Sequence, residues 1–463
     1  VYAFQLRPFP LAAYRESWAN VLNHVSAGHQ AFFLGEISDD GWWLYFPVSL
    51  LLKTPLPMLL LYAVALVGLA RARAWRIGAF LLLPVGAILA AAITSGLNIG
   101  YRHVLPAIPF ILVTVGVGIP VLWRHRAGRW AVAVAAVWAL GAALWIHPHH
   151  LAYFNELVGG PAHGYRYLGD SNLDWGQDLK GLAAYAEGRD DVYVSYGGAA
   201  DPAAYGLTQP PLAGPDGAGR ADFHPANPAT GTYALSAGHV QGLLPEADLY
   251  DWFRRREPDG FIGYSILLYD VTAQPGQWIA HCAAPAPLLA AEEAERLVGI
   301  SGARHVVFDC AANWVWPDEG APGWYVLPPE ADTQWLTDRL AGNTAPALVY
   351  THRANEFGPA YTVYYWPGTA DPAALLGPPP ADPLLAGGPA ELRGYVAGGA
   401  EWLTLWRVNE ATAAPLSVQA HLTAGDAPPQ VADGLGFSSD QWQPGDWFGR
   451  RNIFAARGDR RGT

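Results

Sequence analysis

At 463 residues the chain is too long for one ordinary domain, and with 51% hydrophobic and 13% aromatic residues it is too apolar to stay disordered. A formal net charge of -12 argues against a nucleic-acid binder, whose affinity rests on basic surface. The charge is divided unevenly: residues 1–150 carry ten Lys/Arg against four Asp/Glu, and the remaining 313 carry 18 against 36. The sequence opens on Val1 and its one methionine is Met58, so it reads as a piece of a longer chain whose earlier part lies upstream.

In residues 1–45, Tyr14, Trp18, Val21, Leu22 and Val25 have helical spacing and predict an amphipathic helix lying on a membrane surface. Four apolar runs follow, over 46–70, 77–97, 104–123 and 130–146, each near the ~20 residues that span ~30 Å of hydrocarbon. The last three contain no Asp, Glu, Lys or Arg. The link after the first run carries Arg71, Arg73 and Arg76, and the link after the third carries Arg124, Arg126 and Arg129. The positive-inside rule places both in the cytoplasm, with 1–45, the Tyr101–Arg102 turn and everything after His147 outside. This predicts a multi-pass protein of the plasma membrane with four transmembrane helices in 46–150 and a large extracytoplasmic C-terminal region. Cys282 and Cys310 then both face an oxidising compartment, which permits a disulfide; two buried thiols are the alternative.

Beyond the helices, the pattern predicts a helix over 171–188, with Trp175, Leu179, Leu182 and Tyr185 on one face and Asp174 as its cap. Strands are expected at 192–196, 232–236, 261–271, 304–309 and 347–351, and helices at 247–256, 291–298 and 333–340. The alternation reads as an extracytoplasmic α/β region over 151–370. A linker rich in Pro, Gly and Ala covers 371–389, and period-two patterning in 390–463 predicts an antiparallel β-sandwich-like domain ending in a basic tail.

The informative polar residues sit at the outer ends of the helices. Lys53, within the first apolar run, either snorkels to the headgroups or pairs with an anion. Arg102 and His103 open the third run at the depth of a lipid-linked phosphate, which arginine can grip with two parallel hydrogen bonds; interfacial anchoring is the other reading. Glu36, Asp39 and Asp40, beside Trp42 and Trp43, could orient a sugar or assist proton transfer, or form a solvated turn. The run from Asp170 begins like a calcium loop, but Trp175 and Gly181 replace its glycine and bidentate glutamate, which excludes an EF-hand. His147, His149 and His150 offer metal ligands, although Pro148 and the membrane edge favour interfacial packing.

Several of these stretches resemble family 39 glycosyltransferases, bacterial relatives of the protein O-mannosyltransferases with a multi-spanning GT-C fold. The similarity runs through Leu34-Gly35-Glu36, Gly41-Trp42-Trp43, Tyr45-Phe46-Pro47 and Lys53-Thr54-Pro55, then Tyr101-Arg102-His103 with Leu105-Pro106. It is most specific in Asp170-Ser171-Asn172-Leu173-Asp174-Trp175-Gly176-Gln177-Asp178-Leu179, and extends to Asp201-Pro202, Tyr205-Gly206 and Gly263-Tyr264-Ser265-Ile266. The resemblance implies transfer of a sugar from a polyprenyl-phosphate donor to a protein or glycan acceptor on the outer face. The displacement would be metal-aided or carboxylate-assisted, so the need for a divalent cation stays open. It also implies an essential acidic residue in a loop upstream of this sequence, so that the chain is the C-terminal part and inactive alone. Here Arg102 is expected to bind the donor phosphate, with Lys53 second, while His103, Glu36, Asp39 and Asp40 line the outer vestibule. The alternative, from another class, is a non-catalytic membrane-anchored module that binds glycans or assembles the cell envelope.

Overall fold

The computed structural model describes residues 16–17, 29–212, 223–243, 248–283, 286–332, 345–355, 358–368, 372, 383–398, 401–423 and 429–454. The predicted surface helix around Trp18, the helix over 333–340, most of the 371–389 linker and the basic tail lie outside them. The chain forms two compact units, Val1–Arg220 with Gly231–Asp270, and Ala221–Thr230 with Val271–Thr463.

The first unit begins with a hairpin, β1 (Ala31–Phe33) and β2 (Glu36–Ser38), turning at Leu34 and Gly35, both at positive φ. The first apolar run is not one straight span. It forms α1 (Tyr45–Lys53) and α2 (Leu56–Arg71), bent by 112°. The break lies at Thr54, which is extended (φ -94, ψ 134) because the following Pro55 disfavours helical geometry in the residue before it. Then come α3 (Trp75–Thr94), a 3-10 turn (Tyr101–Ala107), α4 (Ile108–Trp123) and α5 (Arg126–Ile146). Among the described residues, Trp75–Thr94, Tyr101–Trp123 and Arg126–Ile146 are long and apolar enough to cross a membrane, and the bent pair is a fourth candidate. Large apolar side chains such as Phe80, Leu83, Val137 and Leu144 stand uncovered by protein, as lipid-facing helices require. Gly118 of α4 meets buried Ala65 of α2 so closely that an added methyl would overlap it, the small-residue contact by which such helices approach.

After α5 the chain runs through short 3-10 turns to α6 (Leu179–Ala186). This helix starts eight residues later than the sequence pattern predicts. Gly176 takes φ +75, with Tyr196 and Gly198 packed where a side chain would stand, so the backbone cannot continue helically through it. Trp175 therefore leaves the apolar face and is 61% exposed. Asp174 does not cap the helix; the N-cap position belongs to Asp178, whose side chain makes no cap hydrogen bond.

A four-stranded sheet in the order β3-β4-β6-β5 follows, from β3 (Val192–Ser195), β4 (Gly231–Ser236), β5 (Gly260–Ile262) and β6 (Ile266–Val271). β3 and β4 are parallel, while β5 and β6 are an antiparallel hairpin where one long strand was expected. Gly263 (φ +60) and Tyr264 (φ +68) make its turn. Leu179 and Leu182 of α6 pack on Val192, Val194, Ala234 and Ile266 to form this sheet's core. Two short helices, α7 (Ala237–Gln241) and α8 (Asp251–Arg254), complete the unit.

Among the described residues the second unit contains two larger sheets and one two-stranded pair. In the first, β7 (Trp278–Cys282) and β8 (Arg304–Phe308) are parallel and joined through α9 (Ala291–Val298). With β10 (Gly323–Leu327), β11 (Ala347–His352) and β12 (Tyr361–Trp366) they form a mixed sheet ordered β11-β12-β10-β7-β8. The second sheet is antiparallel, β13-β14-β17-β9, built from β13 (Ala390–Gly398), β14 (Glu401–Val408), β17 (Trp447–Ile453) and β9 (Asn313–Trp316). The C-terminal strands thus borrow their fourth partner from residues before the linker. A separate pair, Val418–Leu422 and Gln430–Gly434, stands beside them. Trp278, Trp314, Trp316, Tyr325, Trp366 and Phe448 share one buried core, which holds much of the unit's aromatic content. Cys282 and Cys310 are bonded as a disulfide. Arg304 grips buried Asp446 with two hydrogen bonds of 2.6 Å and adds Asp318 at 2.7 Å.

Candidate functional site

Asn172 is the centre of the polar ends of the first unit's helices. Fully buried, it donates from Nδ2 to Tyr45 Oη (2.7 Å) and to the Gly169 carbonyl (2.9 Å), and its Oδ1 accepts from the Tyr101 amide (2.8 Å). Its own carbonyl accepts from Lys53 Nζ at 2.5 Å, while Lys53 also donates to the Leu151 carbonyl at 2.6 Å. Next to it, Ser171 Oγ donates to the Ile99 carbonyl at 2.5 Å, in a space that Gly100 leaves open by having no side chain. The 170–173 segment is thereby fastened to α1 and to the start of the Tyr101–Trp123 span.

Of the residues expected to hold a donor phosphate, this arrangement treats two differently. Lys53 has two of its three N–H donors committed to carbonyl oxygens, and its ammonium lies 4.4 Å from the centre of the Phe154 ring. It acts as a clamp. Arg102 is exposed, with its guanidinium 4.8 Å from the Trp175 ring centre. Among the described residues no hydrogen bond and no carboxylate within 4 Å engages that guanidinium. His103 is exposed and its ring meets Phe46 at 6.1 Å. Glu36, Asp39 and Asp40 are exposed on and after β2. There the Ser38 hydroxyl accepts from the Asp40 amide at 3.1 Å and from the Gly41 amide at 3.2 Å. Among the described residues no hydrogen bond or ion pair joins these three carboxylates to Arg102, Lys53 or His103. The structure brings Arg102 against Trp175 of the 170–178 segment, while the hairpin that carries the acidic turn is tied to that segment's start through the Leu34 amide and the Tyr167 carbonyl (2.9 Å) and not through its carboxylates.

The same segment places three carboxylates that the sequence reading treated as a helix cap, a discarded calcium loop and part of a family motif, without giving them a role in the site. Asp170 is held at φ +52, a strained conformation for a residue with a side chain, and its charge acts on both Tyr45 and His103. Asp174 Oδ1 accepts from the Gly176 amide at 2.8 Å. Burial raises its carboxyl to about 6, against the opposing hydrogen bonds from Gly176 and Ser236, with Asp178 and Asp170 adding to the rise. Asp178 is buried and receives Ser265 Oγ at 2.7 Å on Oδ2 and His149 Nδ1 at 3.2 Å on Oδ1. The Gly263 turn makes room for it: a Cβ at Gly263 would overlap the carboxylate. A further cluster lies at the carboxyl ends of the parallel strands, where Tyr250 Oη donates to Ser195 Oγ (2.8 Å) and Ser195 meets His239 Nδ1 (2.6 Å). Burial lowers His239 to about 4, so its ring is neutral at physiological pH.

His149 was legible only as one of three clustered histidines; its partner, 29 positions away, gives no local signal. Among the described residues no group of three or more His, Cys, Asp or Glu side chains is placed to hold a metal ion. Comparison with protein-family models, with curated proteins and with solved structures gave no match to this chain.

Proposed function

We propose that this chain belongs to a membrane glycosyltransferase of the family 39 kind. It would take a sugar from a polyprenyl-phosphate donor and transfer it to a protein or glycan acceptor on the extracytoplasmic face of the plasma membrane. The observation that carries the reading is the Arg102–Trp175 pair. A guanidinium stacked on an indole keeps its N–H edge free, and that edge matches the paired oxygens of a phosphate. Its place is the first turn of a span, where a lipid phosphate would lie once the helix crosses the bilayer. The exposed indole offers an apolar plane for the C–H face of a pyranose, and Asp170 is near enough to His103 to interact electrostatically at the same end. Lys53 supports the site by holding Asn172 rather than by meeting the phosphate.

The test is donor binding by the protein in liposomes containing a polyprenyl-phosphate-linked hexose. Binding by wild type should be saturable and resist competition by the phosphate-free polyprenol. Arg102→Ala should insert normally and weaken binding at least ~10-fold, since a charge-assisted hydrogen bond contributes about 1.5–3 kcal/mol. Equal affinity in wild type and Arg102→Ala would overturn the assignment.

A further inference from the structure

We propose that α5 and the loop after it form a binding groove for one bilayer lipid whose headgroup ends in a primary ammonium, as in phosphatidylethanolamine. The proposal rests on the membrane spans and is independent of the glycosyl-transfer reading. The groove has a volume of about 780 Å³. Its wall on α5 runs from Trp130 to Trp145, ~22 Å along the axis at the helical rise, which suits an extended acyl chain better than a compact solute. Ala133, Gly141 and Ala142 line it between Trp130, Trp138 and Trp145, and a Cβ added at Gly141 would meet no protein atom within 4 Å. The other wall is the Tyr153–Gly160 stretch. Trp130, Val134, Val137 and Trp145 are exposed, so a bilayer around α5 fills this groove with lipid.

Two polar groups in this apolar groove select the lipid. Glu156 Oε1 accepts from Trp138 Nε1 at 2.7 Å, which holds the carboxylate at the groove. Among the described residues no hydrogen bond engages its second oxygen, and no basic nitrogen lies within 4 Å of it. The Tyr153 hydroxyl oxygen is shielded from water yet has no hydrogen-bond partner among the described residues, and the Glu156 charge acts on it. A carboxylate free to accept and a phenol free to donate match the ammonium and a phosphate or ester oxygen of one zwitterionic headgroup. An anionic lipid meets the repulsion of Glu156 instead. The level also suits a headgroup. Asn155, the residue before Glu156, donates from Nδ2 to the Leu51 and Thr54 carbonyls (2.6 and 2.8 Å) and from its amide to the Leu52 carbonyl (2.9 Å). Glu156 is thereby held beside the break at which α2 enters its span.

Photolabelling of the full chain in liposomes tests this, with phosphatidylethanolamine or phosphatidylglycerol carrying a diazirine on one acyl chain and the adducts placed by mass spectrometry. In wild type the ethanolamine lipid should label residues 130–160 about fivefold more than the glycerol lipid, the weight of one charge at a membrane surface. Glu156→Gln should bring the two lipids level. Gly141→Phe puts a ring where an added Cβ meets no protein atom, so it should fill the groove, leave the helices intact and lower labelling there to that of α3. Should Glu156→Gln fail to insert, the wild-type ratio and Gly141→Phe decide the matter. Equal labelling by the two lipids in wild type, or labelling that survives Gly141→Phe, would overturn the proposal. Stronger displacement by polyprenyl phosphate than by phosphatidylethanolamine would also overturn it, since the occupant would then be a carrier lipid. So would disulfides between copies carrying Val137→Cys, which would make the occupant a second α5.

Discussion

Replacing Asn172 by alanine should cost the first unit more than any other single truncation at the polar ends of its helices. The change removes three hydrogen bonds at once and strands the groups on their far sides: the Tyr45 hydroxyl, the Gly169 carbonyl and the Tyr101 amide. Tyr45 is fully buried, so water cannot replace its partner. A buried donor or acceptor left unpaired costs about 1–3 kcal/mol. Two or three of them together predict a loss of roughly 3–5 kcal/mol, after some relaxation. The Lys53 contact uses the main-chain carbonyl of Asn172 and survives the substitution, so it gives no further loss. Unfolding in mixed micelles of increasing SDS fraction, followed by tryptophan fluorescence, measures the difference. Asn172→Asp is the second arm: it keeps an acceptor for Tyr101 but loses both Nδ2 donors and introduces a buried charge, so it should be at least as damaging at pH 7. A loss below about 0.5 kcal/mol in Asn172→Ala would refute the reasoning that this residue fastens the 170–173 segment to the helices.

Two further outcomes concern charge. Asp174, raised to about 6 by burial, binds its proton in the folded state at pH values where the unfolded chain has released it. Its contribution to stability therefore falls as pH rises from about 4 to about 6, and Asp174→Asn should gain up to ~3 kcal/mol over wild type at pH 7.5 and nothing at pH 3.5. Thermal melts of both proteins across that range check it, and a gain that does not change with pH would contradict it. In the second unit, Arg304→Ala leaves buried Asp446 without its two-pronged partner, which predicts a loss of about 3–5 kcal/mol in chemical denaturation.

The candidate membrane spans were legible because long apolar runs are a signal carried by composition. The 112° break between α1 and α2 was not read, although Pro55 was its cause and stood in plain view. The same happened at Gly176. Helical spacing placed Trp175 with Leu179, but a glycine at φ +75 starts the helix later and frees the indole to meet Arg102. In the second unit the strands Trp278–Cys282 and Gly323–Leu327 are buried along their whole length, so they show no alternation, and period-two reading passes over them. The site divides along similar lines. Arg102 could be picked out as a charge at the start of a span. The partners of Lys53 are backbone carbonyls 98 and 119 residues away, and backbone groups leave no mark in a sequence. The pair of Asp178 with His149 is likewise a product of the fold, made by the end of α5, the start of α6 and a strained turn.

The most direct test of the central claim is transfer itself, with the full-length protein in liposomes holding a polyprenyl-phosphate donor labelled in its sugar. The account predicts that label moves from the lipid extract to a hydroxyl-bearing acceptor, and that Arg102→Ala needs at least ~10-fold more donor for the same rate. Label that stays in the lipid extract, with wild type and Arg102→Ala alike, would contradict it.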